Sequence, residues 1–136
     1  MFTTPCIIRK NTPELRQKLE KLGYTNCIIE DEKYLFTSHG IFDCISSCTA
    51  YEDMVRNGLV DCGDNEFLFL ALAAMRDDTD NDQLFTNGID WAIKREAARG
   101  LGLPGFEYLS FPRDINTPLH KATIEEIMNC FQTPIA

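Results

Sequence analysis

The chain has 136 residues, 44% hydrophobic and 25% charged, the make-up of one globular domain with its own core. Its formal net charge is −8, and residues 61–90 hold eight acids against Arg76 alone, a field that repels phosphate backbones and disfavours nucleic acid. The longest apolar run, residues 67–75, falls well short of the roughly 20 residues a membrane helix needs, and no signal-peptide pattern opens the chain, so a cytoplasmic protein without membrane contact is expected.

In chain order, "CIIRK" reads as a first strand. "NTPELRQKLEKLGY" follows as a helix: Thr12 caps, Pro13 suits the first turn, Leu15, Leu19 and Leu22 share a face, and Gly23 ends it. "TNCIIE" is a second strand, adjacent to the first or separated from it by another. "KYLFTSHGIFDCIS" reads as a hairpin turning at Ser38-His39-Gly40. Thr49 and Glu52 have capping-box spacing for a short helix stopped at Asn57-Gly58.

"NEFLFLALAAMRD" is apolar all round, and its alanine, leucine and methionine content points to a buried helix over 65–76. Asp64 or Asn65 would cap it and Arg76 would complement its negative end. "QLFTNGIDWAIK" predicts a tight hairpin at Asn87-Gly88 with Ile89, Trp91 and Ile93 on one face, followed by a helical turn; the rival is a helix over 89–99. "FEYLSF" is a late strand. "TIEEIMNCF" is a final helix with Thr123 and Glu126 as a capping box.

These elements predict an α+β fold in a single domain over 1–136, a mixed or antiparallel sheet of five to seven strands packed with about three helices. The expected core comprises Ile7, Ile8, Leu15, Leu19, Leu22, Ile28, Phe67, Leu70, Leu72, Trp91, Ile127 and Phe131. The six cysteines, in a chain with no secretory signature, are expected to be free thiols, most of them buried as small hydrophobes.

Chemical motifs fare poorly against their context. A calcium loop begun at Asp78 would need glycine where Gln83 stands and glutamate where Ile89 stands. "GLGLPG" at 100–105 matches a dinucleotide fingerprint in letters, but Pro104 interrupts it and a strand, not a helix, follows. Cys44 and Cys48 have the spacing of a zinc pair only if both are helical, and Cys44 reads as strand. No metal or other cofactor is therefore expected.

Cys62 precedes a helix N-terminus, which lowers a thiol pKa, yet Asp61, Asp64 and Glu66 oppose ionisation. Tyr108, Arg113 and His120, with Asp114 and Lys121, could line a pocket at a strand end, so Cys62, Tyr108, Arg113 and His120 are the ligand-pocket candidates. Asp77, Asp78, Asp80 and Asp82 form an exposed acidic loop and are the partner-surface candidates.

With "TPCIIRKNTPELRQKLEKLGY" and "DCGDNEFLFLALAAMRDD", the chain resembles small uncharacterised proteins of gut bacteria and their mobile elements. The resemblance implies a cytosolic setting and an accessory gene; it implies no activity, ligand or catalytic residue. The residues themselves favour a small interaction or regulatory module whose acidic surface meets a basic protein, with self-association through a sheet edge as an addition. The alternative is a small enzyme or ligand-binding protein with its pocket near Cys62 or near Arg113 and His120.

Overall fold

The computed structural model describes residues 1–27, 32–95, 105–109, 111–114 and 116–131. The fold is α+β, with four helices and two sheets among the described residues. The chain divides into two compact units, Met1–Met75 with Phe131–Ala136, and Arg76–Cys130. The strands expected in one sheet thus fall into two sets, each pairing within itself.

The first unit holds β1 (Cys6–Ile8), α1 (Pro13–Leu22), β2 (Thr25–Asn26), β3 (Tyr34–Ser38), β4 (Ile41–Ile45), α2 (Cys48–Arg56), β5 (Val60–Asp61) and α3 (Glu66–Ala73). Its mixed sheet runs β2-β4-β3-β1-β5, so two strands separate β2 from β1. The β3–β4 hairpin turns on His39 (φ 50°) and Gly40 (φ 83°), two successive left-handed residues that match the twist of the strands. Helix α1 is built as its caps dictate: Thr12 accepts the Leu15 N–H, and Gly23 at φ 114° donates to the Glu20 carbonyl. Its Leu15 and Leu19 are buried, and the Tyr24 hydroxyl beyond it donates to the Ala73 carbonyl at 2.7 Å.

Three local expectations are corrected. Helix α2 is capped by Ser47, whose hydroxyl accepts the Ala50 N–H at 3.3 Å, so Thr49 already lies inside the helix. Helix α3 ends at Ala73 and its last turn has no base; Arg76 turns instead to Asp78. Nor is α3 buried all round. Leu68, Phe69, Leu72 and Ala73 occupy one arc and are buried, while Phe67, on the opposite side, is 76% exposed. An apolar helix packed on one side against β1 and α1 still leaves its other side open.

The second unit holds β6 (Leu84–Thr86), β7 (Trp91–Arg95), β8 (Gly105–Tyr108), β9 (His120–Lys121) and all but the last residue of α4 (Ile124–Phe131). Its sheet, β8-β7-β6-β9, is wholly antiparallel. The β6–β7 hairpin forms as expected, but its loop has four residues, because the Asn87 side chain accepts the N–H groups of both Ile89 and Asp90. Ile89 is thereby lifted out of the strand and exposed, and in β7 Ala92 is buried while Trp91 is half-buried. The capping box of α4 is present: Thr123 Oγ1 accepts the Glu126 N–H, and Glu126 accepts the Thr123 N–H.

Of the expected core, Ile7, Ile8, Leu15, Leu19, Leu72 and Ile127 are buried. Leu22, Leu70, Trp91 and Phe131 are half-buried, and Ile28 lies outside the described residues, as do 96–100, where the helical turn would fall. The rival helix over 89–99 is overturned, because Trp91–Arg95 is strand β7, paired with β6. Leu35, Phe42 and Phe69 complete the interior of the first unit. No helix among the described residues is long and apolar enough to cross a membrane.

Candidate functional site

In the second unit, the antiparallel register decides which side chains share a face. Phe85 pairs with Ala92 and with Lys121, Ala92 with Tyr108, and Lys94 with Phe106. Directly paired residues project to the same side, so Phe85, Ala92, Lys94, Phe106, Tyr108 and Lys121 line one face. Lys94 lies 5.5 Å from the Phe85 ring centre and 5.9 Å from that of Phe106, within cation–π range of both.

The acidic loop lies against this face. Asp80 reaches Lys121 at 3.2 Å and Lys94 at 3.8 Å. The Lys121 ammonium also donates to the carbonyls of Arg76 at 2.6 Å and Thr79 at 2.9 Å. Arg76 grips Asp78 with two hydrogen bonds of 2.9 and 2.8 Å, and its guanidinium holds that carboxyl well below the usual carboxylate range. Asp77 and Asp82 are exposed, and Asp82 adopts φ 62°, with its N–H bonded to the Lys94 carbonyl. The loop is at the surface, as its charge implies, and it is also tied to the sheet.

Strand β8 forms the open edge of this sheet among the described residues. Phe106 and Tyr108 on the strand are more than a third exposed, Leu109 is 51% exposed and Phe111 89%. The Leu109 N–H is bonded inward to the Trp91 carbonyl, so by antiparallel alternation the Tyr108 and Phe106 N–H groups point out from the edge. An edge strand with outward donors and exposed aromatic side chains is a template for strand addition.

The sequence-predicted pocket residues lie on separate elements. Tyr108 lies on β8 and Arg113 in the following turn, where its N–H donates to Asp90. His120 contacts Glu126, 2.9 Å away, beside the α4 cap. Cys62 belongs to the first unit. It is buried, and the Cys6 thiol together with desolvation pushes its pKa strongly upward, the reverse of what a nucleophile needs.

The first unit has its own polar hollow, which sequence reasoning missed. Arg9, Tyr34, Cys48, Tyr51 and Glu52 line a pocket of 160 Å³. The Arg9 guanidinium sits 5.1 Å above the Tyr51 ring, and Tyr34 packs edge-on to Tyr51 while its hydroxyl lies 3.1 Å from the exposed Cys48 sulfur. Burial and the hydrogen bond to Asp61 raise the Tyr51 pKa, so this phenol remains protonated. A smaller hollow of 80 Å³ lies between Phe2, Tyr24 and His39.

All six cysteines are free thiols. Only Cys6 and Cys62 are buried, so fewer of them serve as core hydrophobes than the sequence suggests; Cys48 and Cys130 are exposed. Cys44 lies on β4 and Cys48 opens α2, so the two never share a helix face. Among the described residues, no three histidine, cysteine or acidic side chains converge in a way that could hold a metal ion. Compared with family models, curated proteins and solved structures, the chain matches none.

Proposed function

We propose that the protein is a small interaction module that presents the β8 edge of its second unit to a basic protein segment. The observation that carries this reading is the co-location of an open strand edge, exposed apolar side chains and an acidic loop on one sheet. The edge offers main-chain hydrogen bonds, while Phe106, Tyr108, Leu109 and Phe111 offer apolar contact. The second unit carries ten acids against six bases, and the whole chain −8, so approach of a basic segment is favoured and that of a second copy opposed.

Affinity capture from the native cell tests the proposal, using the wild type, a variant neutralised at Asp77, Asp78, Asp80 and Asp82, and the double variant L109S/F111S. The expected result is a basic partner released by salt and lost in both variants. Retention of the same partners by all three proteins, or absence of any partner, would overturn it.

A ligand-binding role has one observation in its favour, the hollow between Arg9, Tyr34, Cys48, Tyr51 and Glu52. Its 160 Å³ is about half the lower end of the roughly 300–1,000 Å³ range of small-molecule sites. That magnitude favours the interaction reading.

A further inference from the structure

We infer that the loop at 76–82 is an ammonium receptor whose resident ligand is the side chain of Lys121, so that the charge on this amine, beside the weaker tie of Asp80 to Lys94, holds the acidic loop against the sheet. Three oxygens of different origin converge on Nζ: the Arg76 carbonyl at 2.6 Å, the Thr79 carbonyl at 2.9 Å and Asp80 Oδ1 at 3.2 Å. An ammonium has three N–H donors, and three acceptors are supplied. Two of them are main-chain carbonyls turned towards one point, which ordinary chain packing does not require.

The loop is shaped around that point from within. Asn81 donates its N–H to Thr79 Oγ1, Gln83 to the Asp80 carbonyl, and the buried Gln83 side chain accepts the Arg76 N–H at 2.7 Å. These bonds fix where the Arg76 and Thr79 carbonyls point. Lys121 is placed independently, by the pairing of β9 with β6 at Phe85. Its side chain is 33% exposed, so solvent and solutes reach the receptor. Without the Lys121 charge, two carbonyls and a carboxylate would face one another with the Lys94 ammonium reaching only the carboxylate, and their repulsion would loosen the loop.

The inference does not depend on the interaction reading, because it concerns only how the loop is held. Hydrogen exchange of residues 77–82 reads it directly, in the wild type, K121M and K121A. Charge-assisted bonds of this kind correspond to roughly ten- to hundred-fold faster exchange when lost, and that acceleration is expected in both variants. In K121A, added propylammonium should restore protection saturably, and propanol at the same concentration should not.

Wild-type protection in K121M, or equal rescue by propanol and propylammonium, would overturn the inference. A measurement on the unmodified chain stands beside these in case a variant does not fold. The ammonium protons of Lys121 should exchange with water more slowly than those of the exposed Lys18 and Lys33. Equal rates would contradict the receptor.

Discussion

The buried carboxylate of Asp90 accepts the backbone N–H of Asp114 at 2.7 Å with one oxygen, and that of Arg113 at 2.8 Å with the other. Asn87 reinforces the same junction by donating to the Asp114 carbonyl. One acid thus fastens the turn after β8 to the β6–β7 loop. The N–H groups of Asp114 and Arg113 hold its pKa below the usual carboxylate value.

Acid should therefore loosen the second unit first at this junction. A carboxylate depressed in the fold contributes stability above its unfolded pKa of about 4, and loses it as pH falls through the lower folded value. Asp114 and Glu126 are depressed too, the first by the Thr117 hydroxyl, the second by Thr123 and His120 against the opposing effect of burial. D90N places an amide donor opposite a backbone donor, so melting temperature should drop at neutral pH and depend less on pH below about 4. A D90N curve parallel to the wild type across that range would refute the assignment.

Helix α3 gives a paired test of orientation. Phe69 is fully buried and Phe67 is 76% exposed on the same helix. F69A should cost about 3–5 kcal/mol in urea unfolding, and F67A within about 0.5 kcal/mol. Similar losses for the two would mean that the helix faces another way.

What the sequence reveals depends on how local the determining contacts are. Thr12, Pro13 and Gly23 announce α1 because a cap and a stop act within a few residues, and Thr123 with Glu126 does the same for α4. His39-Gly40 marks the first hairpin for the same reason. Phe67 misleads because hydrophobicity alone does not say which arc of an all-apolar helix will meet a neighbour. The tie between Asp80 and Lys121 joins a loop to a strand much later in the chain, and no local pattern encodes it. The hollow over Tyr51 is equally hidden, since Arg9, Tyr34 and Cys48 arrive from separate parts of the first unit.

The cap of α2 separates two readings of one short stretch. Ser47 accepts the Ala50 N–H, and Thr49 lies within the helix. S47A should cost about 1 kcal/mol in chemical denaturation and T49A distinctly less. The reverse order would restore the capping box expected from Thr49 and Glu52.

Thiol labelling resolves the cysteines by position. Cys48 and Cys130 should be alkylated first in the native protein, Cys27 and Cys44 more slowly, and Cys6 and Cys62 only on unfolding, as followed by peptide mass spectrometry. Fast native labelling of Cys62 would place it at the surface and reopen it as a reactive centre.

The most direct test of the interaction reading is backbone amide exchange, in the free protein and in complex with its captured partner. Because β8 is the open edge of its sheet among the described residues and its outward N–H groups belong to Phe106 and Tyr108, those two amides should become strongly protected on binding. Protection confined to the first unit, with Phe106 and Tyr108 exchanging as in the free protein, would contradict it.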